Sequence, residues 1–248
     1  MVFNYRAGRG MSSVFYRARL FGIKAYNHDM RQETLIIIDY GSGNLRSAAK
    51  AFEHVSSDIQ VKISRDPNDL KKADRIVLPG QGAFKQCADN LSSIEGMIEM
   101  LEERVLKDAV PFLGICVGMQ LLATRGMEHS ITAGLNWIEG EVVPLKPQDK
   151  DLKIPHMGWN SLHYLSANDA QDNRHFVLRS TESQENFYFV HSFMFQCVYN
   201  YNCLAMVDYG GMVPAVVGRD NIIGMQFHPE KSHKAGLQLL SNFLEWRP

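Results

Sequence analysis

Between Pro111 and Ala123 the chain reads PFLGICVGMQLLA: a buried-strand pattern over residues 112–115 stops at Cys116, held between Gly114 and Gly118, and passes straight into a helical pattern. A strand that turns into a helix with no loop between them belongs to an α/β layer. The residue at the turn is pushed out of the sheet, and glycines on both sides let the backbone turn without Cβ clashes. The Cys116 thiol would then sit over a helix N-terminus, whose dipole and free amides favour the thiolate, the form that attacks a carbonyl carbon. A structural cysteine at a tight turn fits the same pattern, because free cysteines are among the most buried residues.

The surrounding pattern agrees with such a layer. Strand-like runs at residues 35–39, 75–78 and 112–115 alternate with helical stretches near 45–53 and 94–106, an order that builds a parallel sheet covered by helices. The Cys116 turn then lies at the carboxyl edge, where these sheets bind ligands. After Glu141 the character changes. Short strand-like runs at 141–145, 187–195, 203–207, 213–217 and 222–227 predict an antiparallel or mixed section before a final helix at 234–244. Residues 149–151 and 166–174 read as polar loops.

The last of those runs leads into His228-Pro229-Glu230. Proline disfavours helix at the residue before it. If the chain stays extended, residues two apart share a side and Glu230 lies beside the imidazole of His228. A carboxylate on one ring nitrogen fixes the tautomer and leaves the other free to exchange a proton with a thiol. Taken singly, His228 reads equally well as a satisfied histidine at a strand end, and Glu230 as an acid at a helix N-terminus.

Five segments in order, IIIDYGSGNLRS, VLPGQGAF, the Cys116 turn, PHMGWN with FYFVHSF, and QFHPEKS, resemble the class I, triad-type glutamine amidotransferases. Within them the similarity is greatest to the glutaminase subunits of imidazole glycerol phosphate synthases. The resemblance covers nearly everything from Leu35 onward and implies a flavodoxin-like, mostly parallel sheet with flanking helices over residues 33–248. It implies Cys116, His228 and Glu230 as a catalytic triad that hydrolyses glutamine through a γ-glutamyl thioester. Val117 N–H is the natural first donor to the oxyanion. The second would come from the turn holding Gln81 and Gly82, each donor being worth roughly 3 kcal/mol of barrier in related acyl-transfer sites. Gln120, Glu128, Ser192 and Gly82 are implied as glutamine contacts, and Tyr188, Trp159 and Lys231 as contacts to a partner. That partner would be a cyclase subunit of (β/α)₈-barrel type, in a heterodimer, consuming the ammonia in histidine biosynthesis.

The chain departs from the family pattern in three places. Gln81 stands where a small apolar residue is usual, Phe193 where tyrosine is common, and the TRGMEHS loop around Glu128 replaces an acidic one. These keep two alternatives open: a related glutaminase serving another acceptor, and a silent scaffold that binds a partner without turnover. A peptidase or γ-glutamyl hydrolase would have no use for PHMGWN or a partner.

Composition sets outer bounds. The 248 residues are 45% hydrophobic with a formal net charge of −1, enough for one sizeable globular domain and without a basic surface for nucleic acid. Cys87, Cys116, Cys197 and Cys203 show no C-x-x-C spacing and no metal-type cluster with histidine, so a free thiol in a reducing cytoplasm, with neither metal nor cofactor, is the simplest expectation. No run approaches the roughly 20 apolar residues of a membrane span. Residues 1–28 contain arginines and a lysine but no acid. That composition suits a targeting peptide or an amphipathic arm. Translation starting at Met30 accounts for it too and is the favoured reading, and residues 1–32 are read as an extension.

Overall fold

A computed structural model describes residues 32–165, 174–181 and 184–248. The expectations for residues 1–31, and for the polar loop up to residue 173, lie outside the described residues. In the first half, strands β1 (Glu33–Ile38), β2 (Ile59–Ser64), β3 (Arg75–Gly80) and β4 (Phe112–Cys116) alternate with helices α1 (Leu45–Val55), α2 (Pro67–Leu70), α3 (Phe84–Ser92) and α4 (Met97–Leu101). A single helical turn, α5 (Val117–Gln120), follows β4. The second half contributes β5 (Arg125–Gly126), β6 (Thr132–Ala133), β7 (Gly140–Pro144), β8 (His156–Ser161), β9 (His163–Tyr164), β10 (Asn186–His191), β11 (Phe193–Cys197), β12 (Cys203–Asp208), β13 (Met212–Arg219) and β14 (Ile222–Met225). Helix α6 (His233–Glu245) ends the chain's regular structure.

The main sheet has the order β2-β1-β3-β4-β14-β13-β12-β9. Its first five strands are parallel, and β13, β12 and β9 continue it antiparallel. The near-continuous apolar runs of β3 and β4 are buried along their whole length, as strands covered on both faces must be. On one side Phe52 of α1 packs against Phe243 of α6 with ring centroids 6.2 Å apart. The fully buried Arg75 fastens the end of α6 to the sheet: Nε donates to the Phe243 carbonyl at 3.2 Å, Nη2 to that of Trp246 at 3.5 Å, and Nη1 pairs with Glu33. Among the described residues, no helix is long and apolar enough to cross a membrane.

Three expectations need correction. The run at 187–195 is two strands, because the chain changes partner at Ser192: β10 pairs with β8, and β11 with β7. The stretch at 94–106 is not one helix. Gly96 at φ +76° starts α4 afresh, and residues 102–107 then widen into a π-helix. The helix after Cys116 is one turn long, so its dipole is a minor term and the thiol's electrostatics must come from neighbouring side chains.

Candidate active site

Cys116 ends β4 in register with Gly80 of β3. Its φ is +55°, a left-handed conformation uncommon for a residue with a Cβ, and the turn into α5 follows at once. Close packing enforces this geometry. A Cβ on Gly118 would lie 1.8 Å from the Leu78 carbonyl oxygen, and one on Gly114 would lie 2.5 Å from the Gly118 oxygen. The turn thus rests directly on the backbone of β3 and β4, and only glycine fits either position.

His228 comes from the neighbouring strand. β14 lies parallel to β4, pairing Met225 with Ile115. The chain runs past Gln226 and Phe227 to His228, whose backbone N–H donates to the Tyr188 carbonyl at 3.0 Å. His228 itself is extended, but the chain does not remain so through Glu230. Pro229, with its fixed φ, opens a 3₁₀ turn over Pro229–Lys231, and this turn rather than strand alternation swings Glu230 under the ring. Glu230 Oε1 lies 2.8 Å from His228 Nδ1 with both side chains buried. A carboxylate can only accept, so Nδ1 carries the proton and Nε2 is the free base of the neutral ring. Nε2 has no hydrogen-bond partner among the described residues. Burial pulls the imidazole toward neutrality, but Cys116 and Glu230 together outweigh it and push the pKa up to about 9. The imidazolium is therefore the favoured form of His228 at neutral pH.

Cys116 and His228 open onto a cavity of about 340 Å³, within the range of small-ligand sites. Val117, Gln81, Gly82, Gln120, Glu128 and Ser192 line it with them, so the structure brings every residue implied for oxyanion and glutamine contact to one space. Glu128 is anchored there by accepting the Phe84 N–H at 2.7 Å at the start of α3. The turn at Gln81 faces elsewhere. Ser42 Oγ donates to the Gln81 carbonyl at 2.5 Å and accepts the Gln81 N–H at 3.4 Å, so that amide is engaged outside the cavity.

Trp159, Tyr188 and Lys231 also converge. Trp159 and Tyr188 are register partners across β8 and β10, with ring centroids 5.7 Å apart, and Lys231 Nζ lies 5.9 Å from the Tyr188 ring centroid. His233 stacks on Trp159 at 4.8 Å, while Trp159 remains 47% exposed.

Sequence reading missed three buried polar residues at the site: Gln226, His191 and His156. Gln226 Nε2 donates to Cys116 Sγ at 3.8 Å. His191 lines the cavity, and its Nε2 lies 3.0 Å from His156 Nδ1. Burial holds both rings down to about 4, helped by His191 at His156 and by His228 at His191, where burial outweighs the hydrogen bond to the Phe193 carbonyl, so both are neutral. Strand alternation offered a signal for Gln226, which stands two residues before His228; for the histidine pair, strand pairing supplies it.

The model of the family described as "Glutamine amidotransferase class-I" matches residues 36–246. The chain belongs to the class I glutamine amidotransferases. Its similar relatives include the imidazole glycerol phosphate synthase subunit HisH of Rhodopseudomonas palustris, 51% identical over 219 residues that span 87% of this chain and 100% of that protein. The HisH subunit of Cereibacter sphaeroides is 50% identical over 216 residues, 86% of this chain and 99% of that one. Solved structures sharing the fold include a glutamine amidotransferase of Thermotoga maritima, with a TM-score of 0.61 at 15% identity, covering 87% of this chain and 97% of that one. PurLQS of Thermotoga maritima gives a TM-score of 0.61 at 18% identity, covering 87% of this chain and 99% of that one.

Proposed function

We propose that this amidotransferase is the glutaminase subunit of an imidazole glycerol phosphate synthase, releasing ammonia from glutamine for a separate cyclase subunit in the cytoplasm. The observation that carries the chemistry is the convergence of Cys116 with the His228–Glu230 pair on one cavity, at the carboxyl ends of adjoining parallel strands. The acceptor reaction rests on half-identical relatives matched over essentially their whole length, all named as subunits of that synthase.

In this reading the Cys116 thiolate attacks the side-chain amide carbon of glutamine, and the oxyanion takes the Val117 N–H, which a one-turn helix leaves without an internal partner. His228 Nε2 gives its proton to the departing nitrogen, ammonia leaves, and a γ-glutamyl thioester remains. The same nitrogen then deprotonates water, which attacks the thioester and returns the thiol with glutamate. Glu230 holds the ring throughout. Turning the Gln81 or Gly82 amide inward would add the second oxyanion donor, and Ser42 is what must let go. The exposed Trp159 with the half-buried Tyr188 and Lys231 is the proposed docking face for a (β/α)₈ cyclase in a heterodimer, since aromatic anchors with a neighbouring cation suit such interfaces.

Glutamate release from glutamine tests the proposal, measured for the purified chain alone and with its cognate cyclase and that enzyme's ribonucleotide substrate. Release that rises in the complex and disappears in Cys116→Ala is expected. Turnover that survives in Cys116→Ala would refute the nucleophile. A fully active glutaminase indifferent to the cyclase would point to another acceptor.

A further inference from the structure

Phe193 contributes a backbone carbonyl beside the cavity, and a carbonyl can only accept. Two groups meet it: His191 Nδ1 at 2.9 Å and Gln120 Nε2 at 3.3 Å. Both must therefore donate, which fixes the amide of Gln120 with its nitrogen toward Phe193. The same Gln120 nitrogen lies 3.0 Å from Gln226 Oε1 and donates its second hydrogen there. Gln226 is thereby fixed in turn, oxygen toward Gln120 and nitrogen toward Cys116 Sγ at 3.8 Å. An amide nitrogen has no lone pair to offer, so at this contact the sulfur is the acceptor. Gln226 is fully buried and Gln120 is 5% exposed, so water does not compete for these bonds.

We propose that Gln226 is a positioning residue for the nucleophile: its side-chain amide, oriented from Phe193 through Gln120, donates a hydrogen bond to the Cys116 sulfur and holds it as a thiolate facing His228. The chain of donors runs one way and ends on the sulfur, so the thiol proton cannot be directed at Gln226. The contact persists when that proton moves to His228 Nε2, and it strengthens as the sulfur becomes an anion. A purely apolar neighbour would leave the thiolate without this support. Gln120 thus has a second task beside the one proposed for it in the cavity, since its orientation dictates that of Gln226.

The inference rests on Cys116 being the nucleophile. Its test is the pH dependence of iodoacetamide alkylation at Cys116, followed site by site by mass spectrometry because Cys87, Cys197 and Cys203 are also free. Gln226→Met keeps the length and removes the donor. The midpoint of Cys116 alkylation is expected to rise by about one pH unit, and kcat for glutamate release to fall about tenfold. A packing defect alone would lower the melting temperature without moving that midpoint. A midpoint equal to that of the unaltered protein overturns the proposal. Should Gln226→Met not fold, the unaltered ¹⁵N-labelled protein decides. The Gln226 side-chain amide protons are expected to shift with the titration of Cys116 and to lose that shift in Cys116→Ala; resonances that ignore the titration overturn the proposal. Failure of the nucleophile reading is distinct: Cys116 would be unreactive, or Cys116→Ala would still release glutamate, before any change at Gln226.

Discussion

Replacing Gly118 with alanine tests the close packing on which the site depends. The added Cβ would sit 1.8 Å from the Leu78 oxygen, and real Cβ atoms essentially never come within 3.0 Å of a neighbour, so one backbone must give way by about 1.2 Å. Leu78 lies in the middle of a buried strand flanked by β1 and β4, so the yielding element is the turn that carries Cys116 and Val117. Overpacking of this kind costs about 3 kcal/mol, which in a domain of this size lowers the melting temperature by about 6–12 °C. Displacing a nucleophile and its oxyanion donor by about 1 Å costs roughly 100-fold in turnover, or about 2.7 kcal/mol of barrier. Urea unfolding and glutamate release, measured on the same preparation, read the two effects separately. A Gly118→Ala protein with unaltered stability and turnover would refute the argument that β3 enforces the elbow.

Two further outcomes follow from buried charges. The His228 value of about 9 lies above the ordinary 6.5, so its contribution to stability is complete below pH 6.5 and disappears as pH rises through 9; at most it amounts to about 3 kcal/mol. Glu230→Gln removes one of the groups that raise it, so urea unfolding between pH 6 and 10 should show a smaller loss that is complete at lower pH, and superimposable curves would sink the assignment. Arg75→Met deletes the cation that bonds the Phe243 and Trp246 carbonyls and pairs with Glu33. A loss of about 3 kcal/mol in chemical denaturation is expected, and a change under about 1 kcal/mol would show that the C-terminal helix does not depend on it.

The parts of this molecule that the sequence makes legible are those where one local pattern decides the outcome. Full burial on both faces gives β3 and β4 unbroken apolar runs, and the paired glycines around Cys116 announce a turn with no space for side chains. β2 is hidden because it lies at the sheet edge with only Ile59 and Ser64 buried, so its residues alternate poorly. β8 is hidden because its pattern is inverted, with Met157 and Trp159 on the exposed face and His156 buried, and because it contains Gly158 at φ +141°. The break at Ser192 could not be seen because a change of strand partner leaves no mark on the strand itself. The His228–Glu230 contact was legible because Pro229 separates the two side chains by one fixed residue. The amide of Gln226 was not, since its direction is decided by Phe193 and Gln120, both remote in sequence.

The pairing of β4 with β14 has a consequence for how this catalyst can be rebuilt. Cys116 and His228 are distant along the chain, yet their spacing is set by a parallel register that joins Ile222 to Phe112 and Met225 to Ile115. The covalent path between them only delivers the second strand. The exposed turn at residues 149–151 lies on that path and outside every strand. A circular permutant opened there, or two fragments reassembled around the sheet, keeps Cys116 and His228 opposite each other.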